Sequence, residues 1–373
     1  MKRLIIFSIL TVLFFSCGEK SNTEKSESEN ILENLTYSID TVLVDSGEEI
    51  LFLQSDLSHS TLSMDQKKLF NFSPKSELEV IDLESLKLLD KVSTDKEGPL
   101  GTGWPYAIQV DQTGNMVFYG VEEVRIFSSD LSSMKRYQLT TEALSGLEPE
   151  MLSMFNPKIT DGNLLFSIYE NQEQVPQGLA IISLEEATVK KFELSLAEKI
   201  TPFTFSLYVQ GRLSNKAYEP IHLELANNQL IVSTAYFNEA IIFDLASETV
   251  TTKTFHSELT QDQTAIPPKT SAETINEMET IRKETSKSVK FGPIYFDKNN
   301  EKFWRFSREL DREIADSLIF RNVLTVFDKD LNQLAETEVS VDPFSKKFFK
   351  NGKLYSYVNV EDELGFAVFT FDF

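Results

Sequence analysis

Residues Glu77 to Ser93 read ELEVIDLESLKLLDKVS: a strand ending on VIDL, a short polar turn, and a second strand. The VIDL signature, which begins at Val80, returns as IFSS at Ile126, IISL at Ile181, IFDL at Ile242, VFDK at Val326 and VFTF at Val368. Successive copies begin 46, 55, 61, 84 and 42 residues apart. The shorter intervals match the roughly 40–50 residues of a four-stranded propeller blade, and the longer ones read as the same unit carrying insertions.

Working outward, each copy is preceded by a hairpin turn and an apolar strand. The turns are Asp111 to Asn115, Thr160 to Asn163, Ala226 to Asn228, Asp297 to Asn300 and Lys350 to Lys353, all rich in Asp, Asn and Gly. The strands after them, MVFYG, LLFSIY, LIVSTAY, KFWRF and KLYSYV, are β-branched and aromatic. The sixth copy stops at Phe373 in its third strand, and Tyr37 to Val44 (YSIDTVLV) has no unit of its own. Pairing the two completes the last blade and leaves no open edge. The expected fold is therefore all-β: a six-bladed β-propeller closed by an N-terminal strand, with helical insertions on one face. A β-sandwich or two smaller domains is the competing arrangement.

The chain starts Met1-Lys2-Arg3, continues with apolar or small residues from Leu4 to Phe15, and reaches Ser16-Cys17-Gly18. That is a signal peptide, too short to span a bilayer, with a thiol where lipoprotein maturation needs its nucleophile. The pattern resembles a lipobox, although Phe14 and Phe15 stand where an aliphatic and a small residue are usual. Residues 1–16 are expected to be cleaved and Cys17 to carry the lipid, with palmitate among its acyl chains. Two or more chains hold a protein at a membrane stably. Residues 17–36 are the expected lipidated tether, since Gly18 to Asn30 (GEKSNTEKSESEN) offers almost nothing to bury. Residues 37–373 are the expected single domain. The expected location is the outer membrane, on its periplasmic or cell-surface side.

Cys17 is the only cysteine, so no intramolecular disulfide exists and the fold depends on its core. The net charge is −22, with no Lys/Arg run longer than Lys190-Lys191 or Lys346-Lys347, which argues against nucleic acid as a partner. His59, His222 and His256 stand far apart without metal-ligand spacing, and no G-x-S-x-G elbow occurs. No catalytic residue, metal or cofactor is assigned. Calcium enters only through the alternative of a lactonase-type propeller hydrolase or lyase, with His59 and His222 as its first suspects, and that rests on analogy of fold.

In a four-stranded meander, the loops joining second to third strands and those joining one blade to the next share a face. The long insertions, Thr140 to Phe155, Leu196 to Tyr218, His256 to Val289 and Ser307 to Asn322, all belong to this set, so they predict a binding rim. Loops that only cap the channel are the plainer alternative. Ala272 to Lys287 spaces Ile275, Met278 and Ile281 as a weakly amphipathic helix, and SRELDREIADSLIFRN (307–322) has a similar helical look. Candidate ligand contacts are Glu97, Gly98, Trp104 and Tyr106 in a glycine-rich loop, and Arg305 and Arg308 in an apolar strand. The glycines also suit a sharp loop, tryptophan beside glycine also suits blade packing, and a buried Arg305 also suits a structural ion pair. Envelope proteins, peptides or glycans are the expected partners.

Three stretches carry a resemblance to a known family: YSIDTVLVDSGEEILFLQ (37–54), KEGPLGTG (96–103) and FGPIYFDKNNEKFWRFSR (291–308). They resemble Bacteroidota lipoproteins with a TolB-like six-bladed propeller, the domain of unknown function 4221. The resemblance implies the propeller and brings no activity or catalytic residue with it.

Overall fold

The computed structural model describes residues 37–371 apart from 154–155, 161–162 and 316; the leader, Cys17 and the expected tether lie outside the described residues. Six antiparallel meanders follow one another along the chain. Sheet one is Ser60–Leu62, Lys68–Phe72, Glu77–Asp82 and Lys87–Ser93. Sheet two is Ala107–Val110, Met116–Tyr119, Glu123–Phe127 and Met134–Gln138. Sheet three is Leu164–Glu170, Pro176–Ser183 and Thr188–Glu193, with Met151–Leu152 and Lys158–Ile159 both paired to its Leu164–Glu170 strand. Sheet four is Ile221–Ala226, Gln229–Thr234, Glu239–Asp244 and Val250–Thr254. Sheet five is Lys290–Asp297, Lys302–Ile314, Ser317–Phe327 and Gln333–Glu338. Sheet six is Lys347–Lys350, Lys353–Val360 and Glu363–Phe371, and its fourth strand is Tyr37–Leu43. That strand runs antiparallel to Glu363–Phe371, with Tyr37 facing Phe371 and Leu43 facing Gly365.

The recurring sequence signature has a local cause. In the three copies that carry an aspartate, VIDL, IFDL and VFDK, that residue stands at the end of the third strand and accepts backbone N–H groups of the turn that follows. Asp82 Oδ1 takes Glu84 N at 2.8 Å and Ser85 N at 2.6 Å; Asp244 Oδ1 takes Ala246 N at 3.1 Å and Ser247 N at 2.8 Å. These Asx-type turns replace water at the strand end. The N–H of Ser85 holds the Asp82 carboxyl below its ordinary range, and that of Ser247 does the same for Asp244. The turns before the second strands use the same chemistry: Asp111 Oδ1 accepts Thr113 N at 2.8 Å and Asn115 N at 2.9 Å.

Packing between sheets shows how they are arranged. Phe72 and Leu78 of sheet one pack on Phe118 and Phe127 of sheet two. Val117 and Ile126 meet Leu165 and Ile182, Phe166 and Leu179 meet Ile241 and Phe243, and Ile231 and Ile242 meet Phe303 and Phe327. Trp304 and Val326 meet Phe349 and Phe369. Finally Phe366 and Val368 of sheet six pack on Leu69 and Ile81 of sheet one. Each sheet is thus apolar on both faces and touches the next, and the last touches the first: a closed ring, the arrangement of a β-propeller. Each fully buried Leu, Val, Ile or Phe contributes about 1.5–3 kcal/mol, so this ring of interfaces holds the fold without disulfides.

Two insertions, from different connections, build one satellite. The link from sheet three to sheet four forms the hairpin Phe205–Val209 and Arg212–Ala217. The link from sheet four to sheet five adds Ser271–Ala272 parallel to the first of these strands, then a helix, Ile275–Thr285. Phe205, Ala272 and Met278 form its small core, with Leu207 and Ile281 packed on it. The expected helix is present, capped by Thr274 Oγ1 accepting Glu277 N at 3.2 Å. The helical reading of 307–322 is not: there the second and third strands of sheet five extend into a long hairpin, registered from Phe303 opposite Phe327 to Ile314 opposite Ser317. Helix-like charge spacing yields because both strands continue hydrogen-bonded ladders that begin in the core.

Candidate functional site

The glycine-rich loop enters sheet two and is held by a residue not singled out from sequence. Arg125, 8% exposed in the third strand of sheet two, donates to Gly101 O and pairs with Glu123. Its guanidinium lies so close to Gly103 that a Cβ there would sit 2.8 Å from Arg125 Cζ, and Gly103 also has φ +70°. A Cβ on Gly101 would meet the Glu97 backbone at 2.7 Å. The glycines therefore serve backbone packing. Glu97 and Gly98 are exposed. Tyr106 is half-buried between sheets two and three, its hydroxyl pKa raised by burial. Trp104 does not pack between blades as tryptophan beside glycine suggests: it is 74% exposed, with Lys96 Nζ 3.9 Å from its ring centroid.

Arg305 and Trp304 point to opposite sides of their strand, Trp304 toward sheet six and Arg305 toward sheet four. Arg305 is 2% exposed, and its bond partners are carbonyls in place of the carboxylate a structural ion pair requires. Nη2 donates to Thr234 O at 2.9 Å and Phe237 O at 3.0 Å, Nη1 to Glu239 O at 3.3 Å and Nε to Gly292 O at 3.3 Å. Thr234, Phe237 and Glu239 lie at and between the second and third strands of sheet four, and Gly292 lies in the first strand of sheet five. Burial lowers its pKa to about 9, with the Glu239 charge opposing. Glu239 itself binds Lys199 at 2.6 Å. Arg305 is thus a bolt between sheets four and five.

Arg308, three residues further along the same strand, is different. Its Cζ lies 4.5 Å from the Phe320 ring centroid and 4.8 Å from that of Phe344. Nε is buried, and no hydrogen bond or ion pair to it is found among the described residues. Burial lowers its pKa, while the charges of Asp342 and Glu219 act against that shift.

The innermost strands place half-buried polar groups around the axis. Lys158 of sheet three pairs with Glu224 of sheet four at 3.4 Å, and Lys346 Nζ reaches from sheet six to Ser60 O of sheet one at 2.8 Å. Burial, with the Lys158 charge adding, lowers Lys346 to about 8. His222 Nδ1 lies 3.4 Å from Asn156 Nδ2, and burial, then the charges of Arg305 and Lys158, lower it to about 4. His59 leads into sheet one and His222 lies in sheet four, so they sit across the ring from each other. His256 is exposed and bonded to Asp262 at 2.7 Å. Among the described residues no three His, Cys, Asp or Glu side chains gather as a metal ion requires.

The nominated residues therefore form two groups, one entering sheet two and one in sheet five, and not one site. What sequence reasoning missed is the satellite. It is lined by two adjoining grooves, one of about 550 Å³ beside Tyr208, Lys269, Ser271 and Glu277, the other of about 270 Å³ beside Phe205, Leu207, Met278 and Arg282. Val209, Leu213 and Ile275 are 47%, 54% and 66% exposed there. The satellite's sequence signals were the two long insertions assigned to one rim and the helix read within the second; that they join in one small core was not read. The long sheet-five hairpin is braced against the same insertion through Lys287–Glu313 at 2.9 Å and Arg321 Nη1 to Leu259 O at 2.9 Å.

A crystal structure of a DUF4221-family member from Bacteroides vulgatus ATCC 8482 superposes with a TM-score of 0.61 at 13% identity, over 90% of this chain and 98% of that one. The WD40 repeats of RRP9 give a TM-score of 0.44 at 9% identity, over 89% of this chain and 100% of that one. No curated protein sequence matches. The model of the family described as domain of unknown function (DUF4221) matches residues 28–338. The chain belongs to that family.

Proposed function

We propose that this protein is a non-enzymatic binding module of the cell envelope, tethered by lipid on Cys17, which engages a protein, peptide or glycan through its insertion-bearing rim. One observation carries the reading: insertions from two separate connections meet in a satellite with its own small core and solvent-facing apolar residues. A lone capping loop needs neither. Exposed apolar side chains grouped on a braced support are what an interaction surface requires, whereas scattered ones are ordinary. No helix of the described residues is long and apolar enough to cross a membrane; in this reading the acyl chains on Cys17 supply the anchor.

The test has two arms, run in cells that make the protein natively. Cys17→Ala is expected to move it from the membrane to the soluble fraction; continued membrane association sinks the anchor. A photo-crosslinking side chain at Val209 or Leu213 is expected to give a discrete adduct that is absent when the same group replaces Lys329, in a turn between the third and fourth strands of sheet five. Equal labelling at both places, or none, sinks the rim reading.

A further inference from the structure

The Arg308 slot lies outside the satellite, where sheets five and six meet, and it has the features of a recognition site. Three elements converge on it: the strand Lys302–Ile314 carrying Arg308, the returning strand carrying Phe320, and the connection to sheet six carrying Phe344. The connection turns at Asp342, whose Oδ1 accepts Phe344 N at 2.8 Å. Lys347, 3% exposed, donates to Asp342 O, to Ser345 O at 3.0 Å and to Ser345 Oγ at 3.1 Å.

Within this frame the Arg308 Nε is buried without a hydrogen-bond partner among the described residues. Aromatic rings stabilise the cation but offer its N–H groups no oxygen. The two acidic groups whose charges act on Arg308 have partners of their own: Glu219 pairs with Lys290, the register partner of Arg308, and Asp342 Oδ1 accepts the Phe344 amide. A half-buried guanidinium whose Nε lacks an acceptor carries a cost that a planar oxyanion, taken edge-on by two parallel N–H donors, relieves. The rings select further. Phe344, 39% exposed, offers an apolar wall beside the charge, which suits an anion carried on an apolar body. The field of a chain with net charge −22 disfavours a polyvalent one.

We propose that Arg308, Phe320 and Phe344 form a binding site for a carboxylate borne on an apolar body, such as an aryl acid or the C-terminus of a hydrophobic peptide. The site stands whether or not the satellite binds a partner. It is tested by titrating a chain begun at Tyr37 with benzoate, acetate and inorganic phosphate, followed by NMR shifts of the Phe344 backbone amide, which every variant retains. Benzoate is expected to saturate, to bind more tightly than acetate, and to lose at least about tenfold in affinity in Arg308→Gln but not in Arg136→Gln, a distant arginine. Arg308→Lys keeps the charge but not the paired donors and is expected to fall between. If Arg308→Gln fails to fold, Phe344→Ala replaces it and is expected to weaken benzoate while sparing acetate. Tighter binding of phosphate overturns the carboxylate assignment. Absence of saturation, or equal losses in the Arg308 and Arg136 variants, overturns the site.

Discussion

Two chains, one begun at Tyr37 and one at Val44, differ only by the strand that completes sheet six. Seven facing pairs join that strand to Glu363–Phe371. An antiparallel ladder carries on average one backbone bond per residue. At about 1 kcal/mol net each, its loss costs on the order of 7 kcal/mol, before the packing of Val42 on the interface of sheets six and one is counted. Domains are stable by only about 5–15 kcal/mol, so the shorter chain is expected to lose half its stability or more. Urea unfolding followed by fluorescence is a direct assay. Trp304 is 0% exposed and its ring lies tilted 4.6 Å from that of Phe371 at the affected sheet, whereas Trp104 is already in solvent. A synthetic Tyr37–Leu43 peptide, added in excess, is expected to restore part of the loss. Identical midpoints and slopes for the two chains would refute the closure argument.

Other consequences are as direct. Arg305→Met leaves at least the Thr234 and Phe237 carbonyls without their donor and is expected to cost about 2–4 kcal/mol; a melting temperature equal to the parent's contradicts the bolt role. His222 titrates near 4 when folded and near 6.5 when unfolded, so the unfolded chain binds the extra proton between those values. Stability is therefore expected to fall by up to about 3 kcal/mol as pH drops from 6.5 through 4, and His222→Gln should flatten that part of the profile. Gly103 and Gly114 both have positive φ, +70° and +89°, yet only at Gly103 does a Cβ meet Arg125. Gly103→Ala is expected to exceed Gly114→Ala in cost by about 1 kcal/mol or more in paired thermal melts, and equal costs argue against a clamped loop.

The repeat was legible because its signature rests on local physics: an apolar strand buried on both faces and, in three of the six copies, an aspartate that satisfies the turn after it, as at Asp82 and Asp244. The pairing of Tyr37–Leu43 with the last strand followed from counting strands. The hairpin over 307–322 was not legible, because Leu310 and Ile314 stand four apart as on a helix. What decided against a helix was the ladder from Phe303 to Arg308, a tertiary fact. Arg305 announced itself as a buried charge, but carbonyls at strand ends leave no mark in composition. Arg125 carried the same signal, a charge amid Val124, Ile126 and Phe127, and was passed over. The satellite joins segments from two connections, and no local pattern foretells that the two will meet.

Tyr37 faces Phe371, so the ring cannot shut until nearly the whole polypeptide has been made and delivered. The entropy of bringing such distant segments together grows only with the logarithm of their separation, yet the search is slow, and meanwhile one sheet edge stays bare. A chain interrupted anywhere before sheet six keeps that edge and stays open to proteases. Closure of the ring thus depends on the sixth sheet being present to receive the first strand.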